Sequence, residues 1–498
     1  MKKVEKANSY THILKYTGIF GGVQGANILI GMVRNKLVAM ILGPEGIGLT
    51  ALFNSTVKLV SDSTNLGLPI CAVREVAEAY ELGDREGLEH RIQMVRAWSF
   101  LTGLLGAFLC IVLSSMFDKW TFSWGDHTLH FILLSPIVGM TAVMGGELAI
   151  LKGVRRLKAL AALSVYGVVG ALVVSVPLYY IWHEKAIVPV LVLIAFLQLV
   201  FTIIYSYRLY PLRISFSLKM MCEGMGMVKL GLAFVMAGMM GSGTEFVIRS
   251  YLNHVADLAV VGLYNTGYLI TMTYANMVFQ AMETDYYPRL SSIHGIGEEN
   301  NMVVNRQIEI GLLLVSPLLV FFIVAAPIIL PLLYSGEFMP VLGMMRIMTF
   351  AMFIRAISLP IEYIALAKGD SKSYFLQELV YDVMVAAWVI LGYKLGGLDG
   401  AGVGIVLAGF LSLLLVLLYT RWRFSYEMSK TVVGYAVVQV PLGICAFLVS
   451  MYFEGFLYWG AGLLFVLVSL VVSVKILQAK SHLWDSIINK VKTKLHRG

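Results

Sequence analysis

The chain of 498 residues is 58% hydrophobic and only 14% charged, with a formal net charge of +8 and a mean hydropathy of +0.79. Soluble domains carry roughly 25% charged residues, so this composition excludes an ordinary water-soluble fold. Apolar runs recur along the chain at about the 20-residue length that a helix needs to cross a bilayer. Backbone groups in lipid must satisfy one another, and short alternating segments of barrel type are missing from the sequence. The composition therefore predicts an all-α polytopic membrane protein.

About fourteen transmembrane helices are predicted in chain order, separated by connections too short to hold a soluble domain. The predicted spans are 13–41, 46–78, 94–116, 129–151, 159–181, 187–207, 228–252, 258–285, 308–333, 341–367, 374–394, 399–420, 432–453 and 457–477. The first span is long and carries polar residues, unlike the short apolar core of a cleaved signal peptide. We therefore expect it to remain in the protein as a membrane helix.

Basic residues are concentrated in alternate loops. The opposite loops hold only Lys119, Lys185 and Lys394. This asymmetry predicts that both termini lie in the cytoplasm. Because the basic residues are spread over many loops, they indicate contact with anionic membrane lipids and argue against nucleic-acid binding. The tail, 479–498, has one apolar and one lysine-rich face, which favours an interfacial helix over a solvated tail.

An internal repeat has an offset of about 215 residues. Four pairs of positions carry it: Arg34 with Arg249, Gly48 with Gly262, Glu147 with Glu362, and Tyr166 with Tyr381. The offset predicts two six-helix lobes, 1–210 and 215–425, followed by two extra C-terminal helices within 430–478. An even number of spans in each lobe gives both lobes the same orientation, as in transporters whose substrate sites lie between parallel repeats. Such proteins work by alternating access.

Polar and ionisable residues form stripes within several apolar helices. An ionisable residue at mid-membrane costs about 2.5–3.5 kcal/mol on insertion scales, so each is a functional hypothesis. The candidates for a substrate-binding cavity are Arg34, Arg249, Arg355, Asn27, Gln24, Asn54, Lys58 and Gln280. The candidates for ion coupling are the acids Asp62, Glu245, Glu283 and Glu362. Arginine in a cavity favours an anionic ligand, because its planar fork matches a phosphate group.

Structural pairing is the alternative for several of these residues. Lys58 with Asp62, and Glu245 with Arg249, are spaced four apart on their helices and can form ion pairs. Arg34 has no acid at that spacing in its own helix, which favours a position facing a cavity.

Helix-end pairing is a second alternative. Glu147 and Glu362 lie close to cytoplasmic lysines and can pair with them locally. Arg355 lies seven residues before Glu362 on the same helical face, and both its structural and its functional interpretation stay open.

Motifs for catalysis or cofactor binding are missing from the sequence. The four cysteines lie far apart, without a CxxC or a metal-ligand spacing, and the histidines form no HExxH pair. A P-loop is also missing, so the chain has no ATPase of its own. We therefore expect no cofactor, no metal and no enzymatic activity.

Three segments resemble the polysaccharide flippases of the Wzx type. They are RNKLVAMILGPEGIGL at 34–49, Leu66-Gly-Leu68 followed by Ala72-Val-Arg74, and AKGDSKSYFLQE at 367–378. These flippases belong to the multidrug/oligosaccharidyl-lipid/polysaccharide (MOP) exporter superfamily, and the resemblance covers about residues 10–425 by architecture.

The resemblance implies a function. A flippase of this type moves an undecaprenyl-diphosphate-linked oligosaccharide from the inner to the outer leaflet of the bacterial cytoplasmic (inner) membrane. It serves O-antigen, capsule or exopolysaccharide assembly, is coupled to an ion gradient, and has a polymerase or chain-length regulator as a possible partner. The resemblance makes Arg34 and Arg249 candidates for diphosphate contacts. The extra helix pair, 432–477, departs from the usual twelve spans and is similar to the lipid II flippase branch, where extra helices form a lipid-binding groove.

Two rival functions stay open. A cation-coupled multidrug exporter of the same superfamily binds organic cations, so its cavity favours acids over Arg34 and Arg249. A membrane glycosyltransferase or polymerase needs large extramembrane loops with paired acids. The outer loops here are short, and Asp118 and Asp126 in the largest of them are interpreted as solvated residues.

Overall fold

The computed structural model describes residues 2–213, 217–273, 279, 286–293 and 295–480. The side chains of residues 2–22, 24, 218, 230, 232–234 and 237 lie outside this description. Helices make up nearly all of the described chain, and no strand occurs among these residues. The chain divides into two compact units. Unit 1 comprises Met1–Gly262 and Leu332–Glu337, and unit 2 comprises Leu263–Pro331 and Phe338–Gly498.

Unit 1 contains eight helices and the start of a ninth. They are α1 (Lys2–Thr64), α2 (Leu68–Glu81), α3 (Arg85–Val112), α4 (Ser114–Thr121), α5 (Thr128–Gly153), α6 (Leu157–Trp182), α7 (Ile187–Leu209), α8 (Leu218–Val255) and α9 (Leu258–Tyr268). A short 3-10 helix, His183–Ala186, joins α6 to α7. Helix α1 packs against α6 and α8, and α5 packs against α2, α3 and α7.

Small residues allow close helix contacts in unit 1. A Cβ atom on Gly48 of α1 would lie 2.0 Å from the carbonyl oxygen of Leu258 and 3.0 Å from the Gly262 nitrogen. A Cβ on Gly262 would in turn lie 1.9 Å from the carbonyl oxygen of Pro44. Helices in lipid associate through such close backbone approach, because hydrophobic burial between them supplies little driving force. The two glycines that the repeat pairs therefore form one contact between α1 and α9.

Unit 2 continues α9 as a π-helical turn, Leu269–Thr273. Its other helices are α10 (Glu298–Leu333), α11 (Leu342–Ala367), α12 (Ser371–Phe424), α13 (Lys430–Tyr452) and α14 (Gly455–Lys480). A 3-10 helix, Gly336–Val341, precedes α11. Helix α12 bends at Gly396 and Gly397, and its two arms pack closely, since a Cβ on Gly392 would meet the Gly400 carbonyl oxygen at 2.1 Å.

Helices α13 and α14 pack against each other through a buried polar contact. The Gln439 amide donates to Ser473 Oγ at 2.9 Å, and Ser469 Oγ donates to Gln439 Oε1 at 2.6 Å. Arg346 of α11 donates to the Ser450 carbonyl and to the Tyr458 hydroxyl, which fastens both extra helices to α11.

The prediction of an all-α polytopic membrane protein is confirmed. Nine segments of the described chain are long and apolar enough to cross a membrane. Three of them, Gly25–Thr64, Leu157–Leu209 and Ser371–Phe424, each extend over more than one predicted span. The division into lobes at 210 and 215, and the extra region 430–478, stay predictions.

The predicted second span, 46–78, is wrong as one continuous helix. Helix α1 passes through a kink at Gly43 and ends at Thr64, and α2 begins at Leu68. Gly67 has a φ of 67°, which suits a residue without a Cβ, and its N–H donates to Asn65 Oδ1 at 2.8 Å. Pro69 follows in the first turn of α2, where the missing N–H costs nothing. The Asn65–Pro69 sequence therefore ends one helix and starts the next.

Candidate functional site

Arg34 lies on α1 against α6 in unit 1. Its Nε donates to Ser175 Oγ at 3.1 Å, and Ser175 Oγ donates to the Ala171 carbonyl at 2.6 Å. Tyr179 and Tyr334 lie close to the guanidinium. In the described part of the chain, the two terminal amino groups of Arg34 meet no carboxylate and no other hydrogen-bond acceptor. The side chain is thus fixed through Nε, and the fork that matches a phosphate group is left open.

Two predicted amide residues of α1 are placed differently. Asn27 Nδ2 donates to Ser164 Oγ of α6 at 2.5 Å, on the same neighbouring helix that holds Arg34. Asn54 is exposed. Two polar stripes predicted on separate spans thus lie on one kinked helix, α1, and Asn27 and Arg34 of the first stripe contact α6.

Lys58, Glu245 and Arg249 form a chain of ion pairs that joins α1 to α8. Lys58 Nζ lies 2.9 Å from Glu245 Oε1, and Arg249 Nη1 lies 2.9 Å from Glu245 Oε2. Lys58 is half exposed, whereas the Arg249 side chain is only 8% exposed. The Nε of Arg249 is buried and meets no hydrogen-bond partner among the described residues. Glu245 therefore compensates both cations at once.

Asp62 belongs to the same cluster. It lies close to Lys58, Ser242 and Glu245, and it packs against α8 where Gly238 leaves space. The predicted pair of Glu245 with Arg249 is present, and the Lys58 ammonium contacts Glu245 at ion-pair distance. Two cations and two anions thus gather on α1 and α8, and the cluster is formally neutral.

A separate polar cluster lies in unit 2, where α11 meets the first arm of α12. The guanidinium carbon of Arg355 lies 6.0 Å from the centre of the Tyr381 ring. Glu362 and Glu378 also lie near Arg355, and Asp382 lies near Glu378. The carboxyl groups of Glu362 and Glu378 therefore lie near one guanidinium. Glu362 itself is 8% exposed.

Sequence reasoning missed Glu378 and Asp382 as site candidates. Both lie within the predicted span 374–394, and Tyr374, Glu378, Tyr381 and Asp382 follow each other at helical spacing. That stripe was a usable signal. The stripe alone does not show that this face of α12 packs against the face of α11 that carries Arg355 and Glu362.

Glu147 pairs with a buried arginine rather than with lysines. Its carboxylate accepts from Arg96 Nε at 2.8 Å and from Ser206 Oγ at 2.5 Å. The Arg96 and Glu147 side chains are 3% and 1% exposed. Arg96 also donates to the carbonyls of Tyr210 and Pro211, so this pair is a structural connection between α3, α5 and the end of α7.

Four predictions from the sequence concern residues outside the described part of the chain. They are Gln280, Glu283, the side chain of Gln24 and, from residue 481 onwards, the predicted tail helix. Within the described part of the chain, no group of three or more His, Cys, Asp and Glu side chains is placed to hold a metal ion.

Solved membrane transporters share this fold. The lipid II flippase MurJ, in an inward closed conformation, matches with a TM-score of 0.72 at 12% identity, over 93% of this chain and 99% of that one. A multidrug resistance MATE family transporter of the MOP superfamily, facing inward, matches with a TM-score of 0.63 at 16% identity, over 80% and 94%. A MOP superfamily transporter from Pyrococcus furiosus matches with a TM-score of 0.57 at 14% identity, over 82% and 93%. The fold is therefore shared with transporters of the MOP superfamily.

A family model confirms the resemblance seen in the sequence. The model described as "Polysaccharide biosynthesis protein" matches residues 13–294. No curated protein sequence matches the chain. This chain belongs to the polysaccharide biosynthesis protein family, and it is a multi-pass membrane protein with the MOP transporter fold.

Proposed function

We propose that this protein is a flippase for a lipid-linked oligosaccharide, carried on undecaprenyl diphosphate. It moves this lipid from the inner to the outer leaflet of the bacterial cytoplasmic membrane by alternating access, for O-antigen, capsule or exopolysaccharide assembly. The observation that carries the proposal is Arg34, a cation in an apolar helix that, among the described residues, is hydrogen-bonded through its Nε alone. Membership of the polysaccharide biosynthesis family and the MurJ-like fold support it.

The physical argument concerns charge. Arginine keeps its positive charge in proteins, and a charge within the membrane is stable only with a partner. Glu245 supplies that partner for Arg249, but no described carboxylate supplies it for Arg34. A diphosphate carries two adjacent sets of acceptor oxygens and fits the two open amino groups of Arg34. An organic cation would be repelled there.

The polar residues of unit 1 and the acids near Arg355 in unit 2 have different roles in the proposed mechanism. Arg34 and Asn27 contact the headgroup, and Lys58, Asn54 and Arg249 extend the polar surface. In unit 2, Glu362, with the neighbouring Glu378 and Asp382, binds the coupling proton or cation near Arg355. Both termini lie in the cytoplasm, and a polymerase or chain-length regulator is the expected partner.

A cation-coupled multidrug exporter is the second candidate. The observation in its favour is the excess of carboxyl groups in the unit 2 cluster, since Glu362 and Glu378 lie near one guanidinium and Asp382 lies near Glu378. The structural similarity to a MATE family transporter also supports the multidrug-exporter candidate. Arg34 argues against this candidate, because it places on α1 a cation that no described carboxylate compensates.

The test uses a bacterial strain that lacks its own flippase for a surface polysaccharide. Arg34→Ala should abolish surface glycan while membrane levels of the protein stay normal. Lys185→Ala, at an exposed position beyond α6, is the matched control and should keep normal glycan. Normal glycan with Arg34→Ala would contradict the proposal. Unchanged glycan together with lost resistance to organic cations would favour the exporter.

A further inference from the structure

A short loop, 122–127, connects α4 to α5, and α4 contacts α8. Helix α4 ends at Thr121, and the side-chain amide of Asn253, near the end of α8, donates to the Thr121 carbonyl at 2.8 Å. Thr121 is fully buried and Asn253 is 2% exposed. This contact fastens α4 to α8, the helix that also carries Glu245 and Arg249.

Two histidines lie at the other end of this loop. Nδ1 of His127 lies 3.2 Å from Nδ1 of His130, within hydrogen-bond distance. One nitrogen must donate and the other accept, so at least one of the two rings is unprotonated at Nδ1. If both rings were protonated, both nitrogens would be donors and the bond would be lost.

Aromatic rings enclose His127. The Phe122 ring centre lies 4.0 Å from its imidazole, and Trp124 meets it edge-on at 4.6 Å. The histidine is 8% exposed. A positive charge in this enclosure is poorly solvated.

The closed arrangement leaves polar atoms without partners. Nε2 of His127, Oγ1 of Thr121 and Oδ1 of Asn253 are buried and meet no hydrogen-bond partner in the described part of the chain. Buried polar groups that lack a partner are destabilised relative to the same groups in water. Hydration of these three atoms would therefore favour separation of α4 from its neighbours.

The charged groups around His127 are few. Its backbone N–H donates to Asp118 Oδ1 at 2.9 Å, and the N–H of Thr128 donates to Asp126 Oδ1 at 3.0 Å. Burial is the largest cause that lowers the pKa of His127 below its ordinary value of 6.5, and His130 lowers it further. Asp118 and Asp126 act in the opposite direction.

The other elements add little charge. Helix α1 presents the Phe53 ring, 5.8 Å from the ring of His130. On α8, Nδ1 of His254 is engaged with the Ser250 carbonyl. On α4, Lys119 follows Asp118 and is exposed.

We propose that the His127–His130 pair is a proton-responsive latch, which holds α4 against α8 while one ring is neutral at Nδ1 and releases α4 when both rings are protonated. The loop faces the outside in the predicted topology, so the latch responds to acidity there. This inference does not depend on which substrate the protein carries. Because the pKa of His127 is lowered while the latch is closed, this histidine fully stabilises the closed latch above about pH 6.5. This stabilisation is lost as the pH falls through the lower pKa of the closed state.

Trp124 reports on the latch in the intact protein, because its ring touches His127. The full chain in detergent is titrated from about pH 8 to about pH 5, and the emission of Trp124 is taken as the difference between wild type and Trp124→Phe. We expect an emission change with a midpoint below the ordinary histidine value. His127→Gln should remove the change, and His183→Gln, at an exposed position between α6 and α7, should keep it.

A second measurement tests release of α4 at fixed neutral pH. Thr121→Cys should react slowly with a water-soluble maleimide. It should react several-fold faster when His130→Lys places a permanent cation beside His127. The proposal is overturned if the Trp124 emission does not change with pH, if His127→Gln titrates like wild type, or if His130→Lys leaves the labelling rate unchanged.

Discussion

Lys58 on α1 and Glu245 on α8 form an ion pair of 2.9 Å, and the second oxygen of the same carboxylate holds Arg249. One acid thus compensates two cations on two helices. If Glu245 takes up a proton, its ion pairs with Arg249 and Lys58 are weakened together, and Lys58 is left with the nearby Asp62. A rearrangement of α8 against α1 would then follow from a single protonation, which suits a coupled transporter.

Glu245→Gln should therefore block transport without unfolding the protein. Glutamine keeps the volume of the side chain but leaves Arg249 buried without an opposite charge. We expect surface glycan to fall at least about tenfold, which corresponds to roughly 1.4 kcal/mol or more. Glu245→Asp should be milder. Glu184→Gln, an exposed acid of the same unit, is the control, and normal glycan with Glu245→Gln would show that the ion pairs are dispensable.

The Arg96–Glu147 pair should govern stability rather than transport. Removing one member of a buried ion pair costs about 3–5 kcal/mol, because the other charge stays buried alone. Glu147→Gln or Arg96→Met should thus lower the melting temperature measured in detergent. The double variant Arg96→Met/Glu147→Leu should recover only part of the loss, since the Tyr210 and Pro211 carbonyls stay without their donor. A single variant as stable as wild type would contradict this assignment.

The contact of Gly48 with Gly262 should tolerate no side chain. Because a Cβ at either position would collide with backbone atoms, Gly48→Ala and Gly262→Ala should each destabilise the protein by about 1–3 kcal/mol. Gly25→Ala, in the same helix but with open space around its Cβ, should leave stability unchanged. Thermal unfolding of the three purified variants checks the prediction, which fails if Gly48→Ala and Gly25→Ala unfold alike.

The acids near Arg355 should control coupling rather than substrate binding. Glu378→Gln removes one of the two carboxyl groups near Arg355 that are proposed to bind the coupling proton or cation. Transport in vesicles should then lose its response to an imposed pH or sodium gradient, while exchange without a gradient persists. Glu298→Gln, an exposed acid at the start of α10, should respond like wild type. An unchanged gradient response in Glu378→Gln would remove the acid cluster from the mechanism.

The sequence predicted the helices well, because apolar length and helix ends are local properties. The connections after α5 and α6 occur where Gly153 and Trp182 end those helices, close to the predicted bounds. The break at Gly67 was missed although its signal is local, since Asn65 and Pro69 were outweighed by the apolar run around them.

The site was predicted less completely, because contacts between helices are not local. Arg34 stands out in the sequence, but Ser175, the residue that fixes its Nε, lies 141 positions away. Glu245 was correctly associated with Arg249 by its spacing, whereas its contact with Lys58 depends on how α1 crosses α8. Glu378 was missed for the same reason, since its importance depends on Arg355 of another helix.

The most direct test of the proposed function is a flipping assay with the purified protein in vesicles. The vesicles contain a fluorescent undecaprenyl-diphosphate oligosaccharide, and its arrival in the outer leaflet is measured by an impermeant quencher. We predict rapid translocation by wild type, a background rate with Arg34→Ala, and no transport of an organic cation such as ethidium. Translocation by Arg34→Ala at the wild-type rate would contradict the account, and so would ethidium transport without movement of the lipid-linked oligosaccharide.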